Sequence, residues 1–356
     1  MNKLLLFFGL IILFFGCKES PVTIDENPPP VEPPVVSEKV YVLNEGNFND
    51  PFGARLSAYD ITHDTVYFNV FERANNNLHL GSVGDDLKYL RGRLYILMSR
   101  SQSLLVVRGN DEKLTQQYYF STTPHDMVID SNTTRAYITQ LYNRSIYVMD
   151  LSSFAMVDSV QVGANPQGML LADSTLYVCN SGYGEDSTVT VISTKRDSVM
   201  ATINVGFGPN AIARLNDGNI IVSCAGNAFS SPPRMGKLVI IDHTTHTVSD
   251  SVNFSENLFG GVVVDSAGYV YVLGATLNSY YGGPVHRYDP ATHSLTMNYI
   301  TGTYYSITLD ESNDDLYLTN VKDFAQDGEV AVFRKDGNLR RVFQAQKGPS
   351  AIAFRR

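Results

Sequence analysis

The chain has 356 residues, with 27 Lys and Arg against 36 Asp and Glu, for a formal net charge of −9. That acidic balance excludes a nucleic-acid partner, which needs clustered cations to neutralise phosphate, and a 44% hydrophobic content excludes wholesale disorder. Twenty-one Tyr, 18 Phe and no Trp point to Tyr-rich strands and rule out Trp-dependent repeats in their usual form.

The N-terminus reads as an address. The apolar run Leu4 to Phe15 is too short to span a bilayer, which takes about 20 residues, but fits the core of a signal peptide over residues 1–16. Phe14-Phe15-Gly16-Cys17 resembles a bacterial lipobox, with Phe14 standing where Leu is usual. The resemblance implies lipid attachment at Cys17. Residues 17–38 then form a tether in which Pro21, Pro28, Pro29, Pro30, Pro33 and Pro34 favour extended polyproline II. The Cys17-Lys18-Glu19 start resembles the export tags of Bacteroidetes-type surface lipoproteins, which implies a lipid-anchored domain at the outer membrane, facing the cell surface.

From residue 39 to 356 one pattern recurs. An apolar-anchor-apolar strand opens each unit, with Tyr41, Tyr95, Tyr137, Tyr177, Ile221, Tyr271 and Tyr317 as anchors 40 to 54 residues apart. Two further alternating strands follow each anchor strand, and a Gly/Pro loop then leads to a fourth. Four short strands per 40–50 residues is the blade of a β-propeller. The expectation is an all-β, seven-bladed β-propeller of four-stranded antiparallel blades. Residues 349–354 match the innermost strand of the other units, so the ring should close by pairing of the C-terminal strand with the first blade. Of the three cysteines, Cys179 and Cys224 end successive repeat strands and read as buried thiols, held too far apart for a disulfide.

Tyr41-Val42-Leu43-Asn44, Tyr177-Val178-Cys179-Asn180 and Tyr317-Leu318-Thr319-Asn320, with the G-x-x-P loops Gly163-Ala164-Asn165-Pro166 and Gly206-Phe207-Gly208-Pro209, resemble the YVTN family of seven-bladed propellers. That resemblance covers the repeat region and speaks to fold, since propellers host many activities.

Alternate loops of a four-stranded meander emerge on opposite faces. One face has minimal polar turns such as Asn216-Asp217-Gly218. The other has longer loops rich in Gly, Asn and aromatics, where binding sites usually sit. Residues entering the innermost strands should ring the central channel: Asp85, His125, Gln167, Asn210, Gly260, Tyr305 and Ser350. Around them the candidate ligand-binding residues are Asn44, Glu45, Phe48, Arg100, Tyr142, Arg144, Tyr183, Phe207, Phe229, Phe259, Tyr280, Tyr281 and Tyr304.

No phosphate loop, nucleophile elbow or H-E-x-x-H motif occurs. His125 lies on the loop-rich face beside Asp126, with Glu45, Glu256, Arg100 and Arg144 as conceivable neighbours. His243 and His246 lack a third ligand. No catalytic set, metal site or cofactor motif is read from the sequence.

The segments Tyr41 to Phe48 and Leu56 to Asp60 resemble the opening blade of Bacteroidetes surface lipoproteins that include the BtuG group. That resemblance implies a non-enzymatic protein that captures cobalamin or another corrinoid and passes it to a TonB-dependent outer-membrane transporter. Two alternatives stay open: a propeller enzyme of the lactone hydrolase or quinone-dependent dehydrogenase type, and a protein–protein adhesion module.

Overall fold

A computed structural model describes residues 38–275 and 282–356. The signal segment, Cys17, the tether up to residue 37 and the Tyr280–Tyr281 pair lie outside the described residues. Among those described, the strands form seven four-stranded antiparallel sheets, six of them in simple sequential order, as expected for a propeller. The seven innermost strands contact one another in cyclic order around the ring.

Closure runs as the sequence predicts. Pro349–Arg355 is the innermost strand of the first blade and pairs antiparallel with Lys39–Asn44, setting Val42 opposite Ile352 and Val40 opposite Phe354. The first and last strands of the fold thus share a sheet. The first strand is thereby paired on both sides.

The anchor positions explain why Tyr recurs. Tyr41, Tyr137, Tyr177 and Tyr271 are all but fully buried. A buried phenol needs a partner for its hydroxyl, and each finds one in a turn of the following blade. Tyr41 Oη donates to the Gly109 carbonyl at 2.9 Å, Tyr137 Oη lies 3.4 Å from Asp197 Oδ1, Tyr177 Oη is 3.3 Å from His246 Nδ1, and Tyr271 Oη reaches the Lys335 carbonyl at 3.2 Å. One side chain thereby fills the space between two blades and ties them on the minimal-turn face. Ile221 takes the same buried position with apolar contact alone.

Cys179 and Cys224 are buried free thiols. The sequence carries no helical period after Phe15, yet a single turn of helix, Val70–Ala74, packs on the first blade through Phe71. Five residues are too few to show a period.

Candidate functional site

The residues that ring the channel owe their orientation to a repeated irregularity. Six of the seven innermost strands carry a register shift at their entry: between Gly84 and Asp86, Pro124 and Met127, Pro166 and Met169, Pro209 and Ala211, Leu258 and Val262, and Pro349 and Ala351. A bulge leaves its extra residue out of the ladder and re-aims its side chain. The residues so released include Asp85, His125, Gln167, Asn210, Gly260 and Ser350. Proline opens three of these strands, where its missing N–H costs no ladder bond, and Pro124 is the second residue of a fourth. Gly168 permits a close approach, since a Cβ there would sit 2.6 Å from the Asn210 carbonyl oxygen.

All seven expected ring positions line one cavity of about 680 Å³, within the range of ligand pockets. Glu45, Phe259, Asp86, Lys88 and Asp126 join them. The lining is asymmetric. Blades two and three contribute Asp85, Asp86, Lys88, His125 and Asp126; blades four to seven contribute Gln167, Asn210, Phe259, Gly260 and Tyr305, all uncharged.

Within the charged arc, Lys88 Nζ lies 2.9 Å from Asp86 Oδ1 and 3.8 Å from Asp126 Oδ1. Each aspartate also accepts the backbone amide of the next blade: Asp86 from Met127 at 3.0 Å, Asp126 from Met169 at 2.8 Å. The two carboxylates therefore stitch three blades together while facing the channel. Burial works against the Lys88 ammonium, but Asp86 and Asp126 outweigh it and hold it above the ordinary lysine value. Burial, with help from Asp86, lifts Asp126 to about 6.

His125 Nδ1 stands 3.7 Å from Asp85 Oδ2. Burial opposes the imidazolium, yet Asp85, Asp126 and Asp86 together raise the His125 pKa. Glu45 is pushed up to about 8, first by burial and then by Asp85, against the opposing Tyr305 hydroxyl and His125. Burial and Glu45 hold the Tyr305 phenol well above its usual range. Asp85 Oδ2, His125 Nδ1 and Asn210 Oδ1 are shielded from water without a hydrogen-bond partner. Unsatisfied buried polar atoms are uncommon and call for an explanation.

The remaining sequence candidates separate into groups. Phe48 and Arg100 find each other rather than His125: the guanidinium stacks 4.2 Å above the ring and donates to the Phe48 carbonyl at 2.6 Å. Tyr142, Arg144 and Tyr183 line a separate cleft. Phe207 carries Arg234 at 3.7 Å, and Phe229 stands 88% exposed on the rim. Asn44 and Tyr304 belong to the fold. Asn44 is fully buried, donates to the Val42 and Arg55 carbonyls and accepts the Gln346 amide, so it has no surface to offer a ligand. Tyr304 packs edge-on against Phe333 of the next blade, within the core between the two. Glu256 pairs at 2.6 Å with the fully buried His286, away from His125.

Sequence reasoning missed Asp86 and Lys88. Their signal was two opposite charges at alternate positions of an innermost strand, Gly84–Leu90, where apolar residues are the rule. Among the described residues no group of three or more His, Cys, Asp and Glu is arranged to hold a metal ion.

A family model described as a domain of unknown function, DUF5074, matches residues 38–258. No curated protein matches the chain. Among solved structures, a hydrazine synthase from Kuenenia stuttgartiensis is similar at 17% identity and a TM-score of 0.63, over 76% of this chain and 89% of that one. A quinoprotein alcohol dehydrogenase-like protein from Bacteroides thetaiotaomicron is similar at 14% identity and a TM-score of 0.67, over 89% of this chain and 78% of that one. At these identities the likeness is one of fold.

Proposed function

We propose that this chain, which belongs to the DUF5074 family, is a non-enzymatic capture protein that holds a small-molecule ligand at the mouth of its propeller channel. The observation that carries this reading is the set of orphaned polar atoms gathered in one cavity. Asn210 Oδ1 calls for a donor, and Asp85 Oδ2 and His125 Nδ1, paired only loosely with each other at 3.7 Å, leave room for a donor and an acceptor. A ligand rimmed with carboxamides offers both kinds of group. Phe259 and Tyr305 add aromatic area, their rings 5.4 Å apart, and aromatic residues with a polar tip suit a large, partly polar molecule.

Within that class the ligand we favour is cobalamin or another corrinoid, whose amide-fringed macrocycle has this mixture of apolar face and polar edge. The sequence resemblance to corrinoid-capturing lipoproteins supports the same choice. On this reading the lipid on Cys17 anchors the protein at the cell surface, and a TonB-dependent transporter receives the ligand. Mixing the purified chain with cyanocobalamin and following the red chromophore through gel filtration tests it. Co-elution is the expected result, and free elution of the ligand overturns the corrinoid assignment.

A second reading has its own observation. Glu45, raised to about 8 and set beside His125 and Asp85, is a carboxyl able to give or take a proton near neutrality. A propeller enzyme of hydrolase type would use such a group. Substituting His125 by Ala separates the two: it should abolish an enzyme, yet only weaken a binding surface spread over many contacts.

A further inference from the structure

The loop-rich face carries a second cleft, of about 510 Å³, which shares no lining residue with the channel. Its walls are two tyrosines. Tyr142 follows the strand Arg135–Leu141, and Tyr183 sits in the 3-10 turn Gly182–Gly184 of the next blade. Their ring centroids are 5.9 Å apart with the planes tilted by 37°, too close to admit a third ring between them. They form one broken platform, 78% and 56% exposed.

Both tyrosines have left-handed backbone conformations, with φ of 62° and 53°. A bulky side chain there is strained, and such strain persists where the surroundings impose it, often at functional positions. Folding stability alone does not account for two aromatic rings held in water on strained backbone.

Asn165 stands between them and is 5% exposed. Its Oδ1 accepts the Tyr142 amide at 2.9 Å, which identifies the other end as the amide nitrogen. That Nδ2 is shielded from water and makes no hydrogen bond of ordinary geometry, with the Tyr183 hydroxyl near it as a weak acceptor. A buried donor left unmatched costs about 1–3 kcal/mol, and an acceptor entering the cleft is the group that would satisfy it. Arg144 on the rim is exposed and makes no ion pair among the described residues. No Asp or Glu lines the cleft. Donors are therefore in surplus: the guanidinium N–H groups and the Asn165 amide nitrogen only donate, while the two phenols can do either.

We propose that this cleft binds an acidic sugar ring, a pyranose bearing a carboxylate or a sulfate ester. Its C–H face rests on Tyr142 and Tyr183, and its anionic oxygens meet Arg144 and Asn165. A puckered ring follows two tilted aromatic faces better than a flat heterocycle does, and its C–H groups meet the negative faces of the rings. An oxyanion presents acceptors only, which matches the donor surplus; a neutral sugar brings hydroxyls that must also donate. This proposal stands apart from the channel reading and survives its failure.

Calorimetric titration of the full chain with three oligosaccharides of equal length tests it: oligogalacturonate, its methyl ester, and a sulfated galactan. The expected result is binding of at least one anionic probe, about tenfold or more tighter than the methyl ester, weakening as salt rises. Binding of the uronate alone identifies a carboxylate site, and of the galactan alone a sulfate site. Arg144→Ala should erase the preference for the anionic probe, and Tyr142→Ala should weaken binding about tenfold, with melting curves confirming the fold. Equal affinity for acid and ester, indifference to Arg144→Ala, or no binding of either anionic probe would overturn the proposal.

Discussion

His125 and Asp85, from neighbouring blades, meet across the channel mouth with Nδ1 and Oδ2 3.7 Å apart, and each atom lacks a hydrogen-bond partner. Bulges at Pro124–Met127 and Gly84–Asp86 release both residues from their strands. The contact is close enough to raise the His125 pKa but leaves both atoms open to a third group.

Stability should fall as pH rises through the neutral range. Glu45 is raised to about 8, Asp126 to about 6, and His125 is also raised. Each group holds its proton more tightly in the folded chain than in the unfolded one. The folded state therefore binds more protons between each unfolded and folded pKa, and stability drops with pH across those windows. For Glu45 the window runs from the ordinary glutamate value up to about 8. Melting curves at pH 5 and pH 8.5 should show the higher midpoint at pH 5. Glu45→Gln should flatten this slope and melt a few degrees above wild type at pH 8.5, on the usual scale of about 2–4 °C per kcal/mol for a chain of this size. An unchanged slope in that variant would remove Glu45 as the cause.

Asp86 ties the Met127 amide and the Lys88 ammonium to one carboxylate. Asp86→Ala leaves both without that partner and should cost about 1–3 kcal/mol in denaturant unfolding. The Asp86→Ala, Lys88→Met pair should cost less than the two single losses added together. Strict additivity would show that the ion pair contributes nothing.

Removing residues 349–356 takes away the innermost strand of the first blade and, with it, the buried Ile352 and Ala353. The chain should then lose its cooperative melt or melt at least 10 °C lower, because several kcal/mol of burial and a full ladder go together. A melting curve like that of wild type would contradict closure through this strand.

The fold was legible because its signals repeat. Six anchor tyrosines carry the period, and prolines at the entry of four inner strands mark where those blades meet the channel. The site was legible only in part. Tyr304 and Tyr305 are adjacent but sit where the chain passes from one blade to the next; one packs between the two blades and the other faces the channel, a choice that composition does not encode. Asn44 looked like a loop residue because Gly46 follows it, but its amide caps backbone groups inside the sheet. Asp86 and Lys88 escaped notice because strand reasoning expects apolar residues there, and only the ring geometry brings Asp126 from the next blade to share their charge.

His125→Ala should lower cyanocobalamin affinity by about tenfold or less, since one hydrogen bond is worth on the order of 1 kcal/mol. Equilibrium dialysis gives the number. Complete loss of binding would assign His125 a role that a distributed surface does not predict.

Tyr183→Gly should be neutral or mildly stabilising, because glycine adopts the φ of 53° without the penalty a tyrosine carries. Denaturant midpoints of the variant and wild type decide it. A loss above about 1 kcal/mol would show that the exposed ring supports the fold rather than a ligand.

The claim that the channel mouth holds the ligand is tested most directly by filling it. Gln167 lines the cavity on the neutral arc, in a strand entry that already departs from the ladder. Titration of cyanocobalamin against wild type and Gln167→Trp, with melting curves for both, is the measurement. Binding by wild type, and a loss of about a hundredfold or more in a variant that still folds, is the predicted result. Equal affinity in both proteins would place the ligand elsewhere and contradict the account.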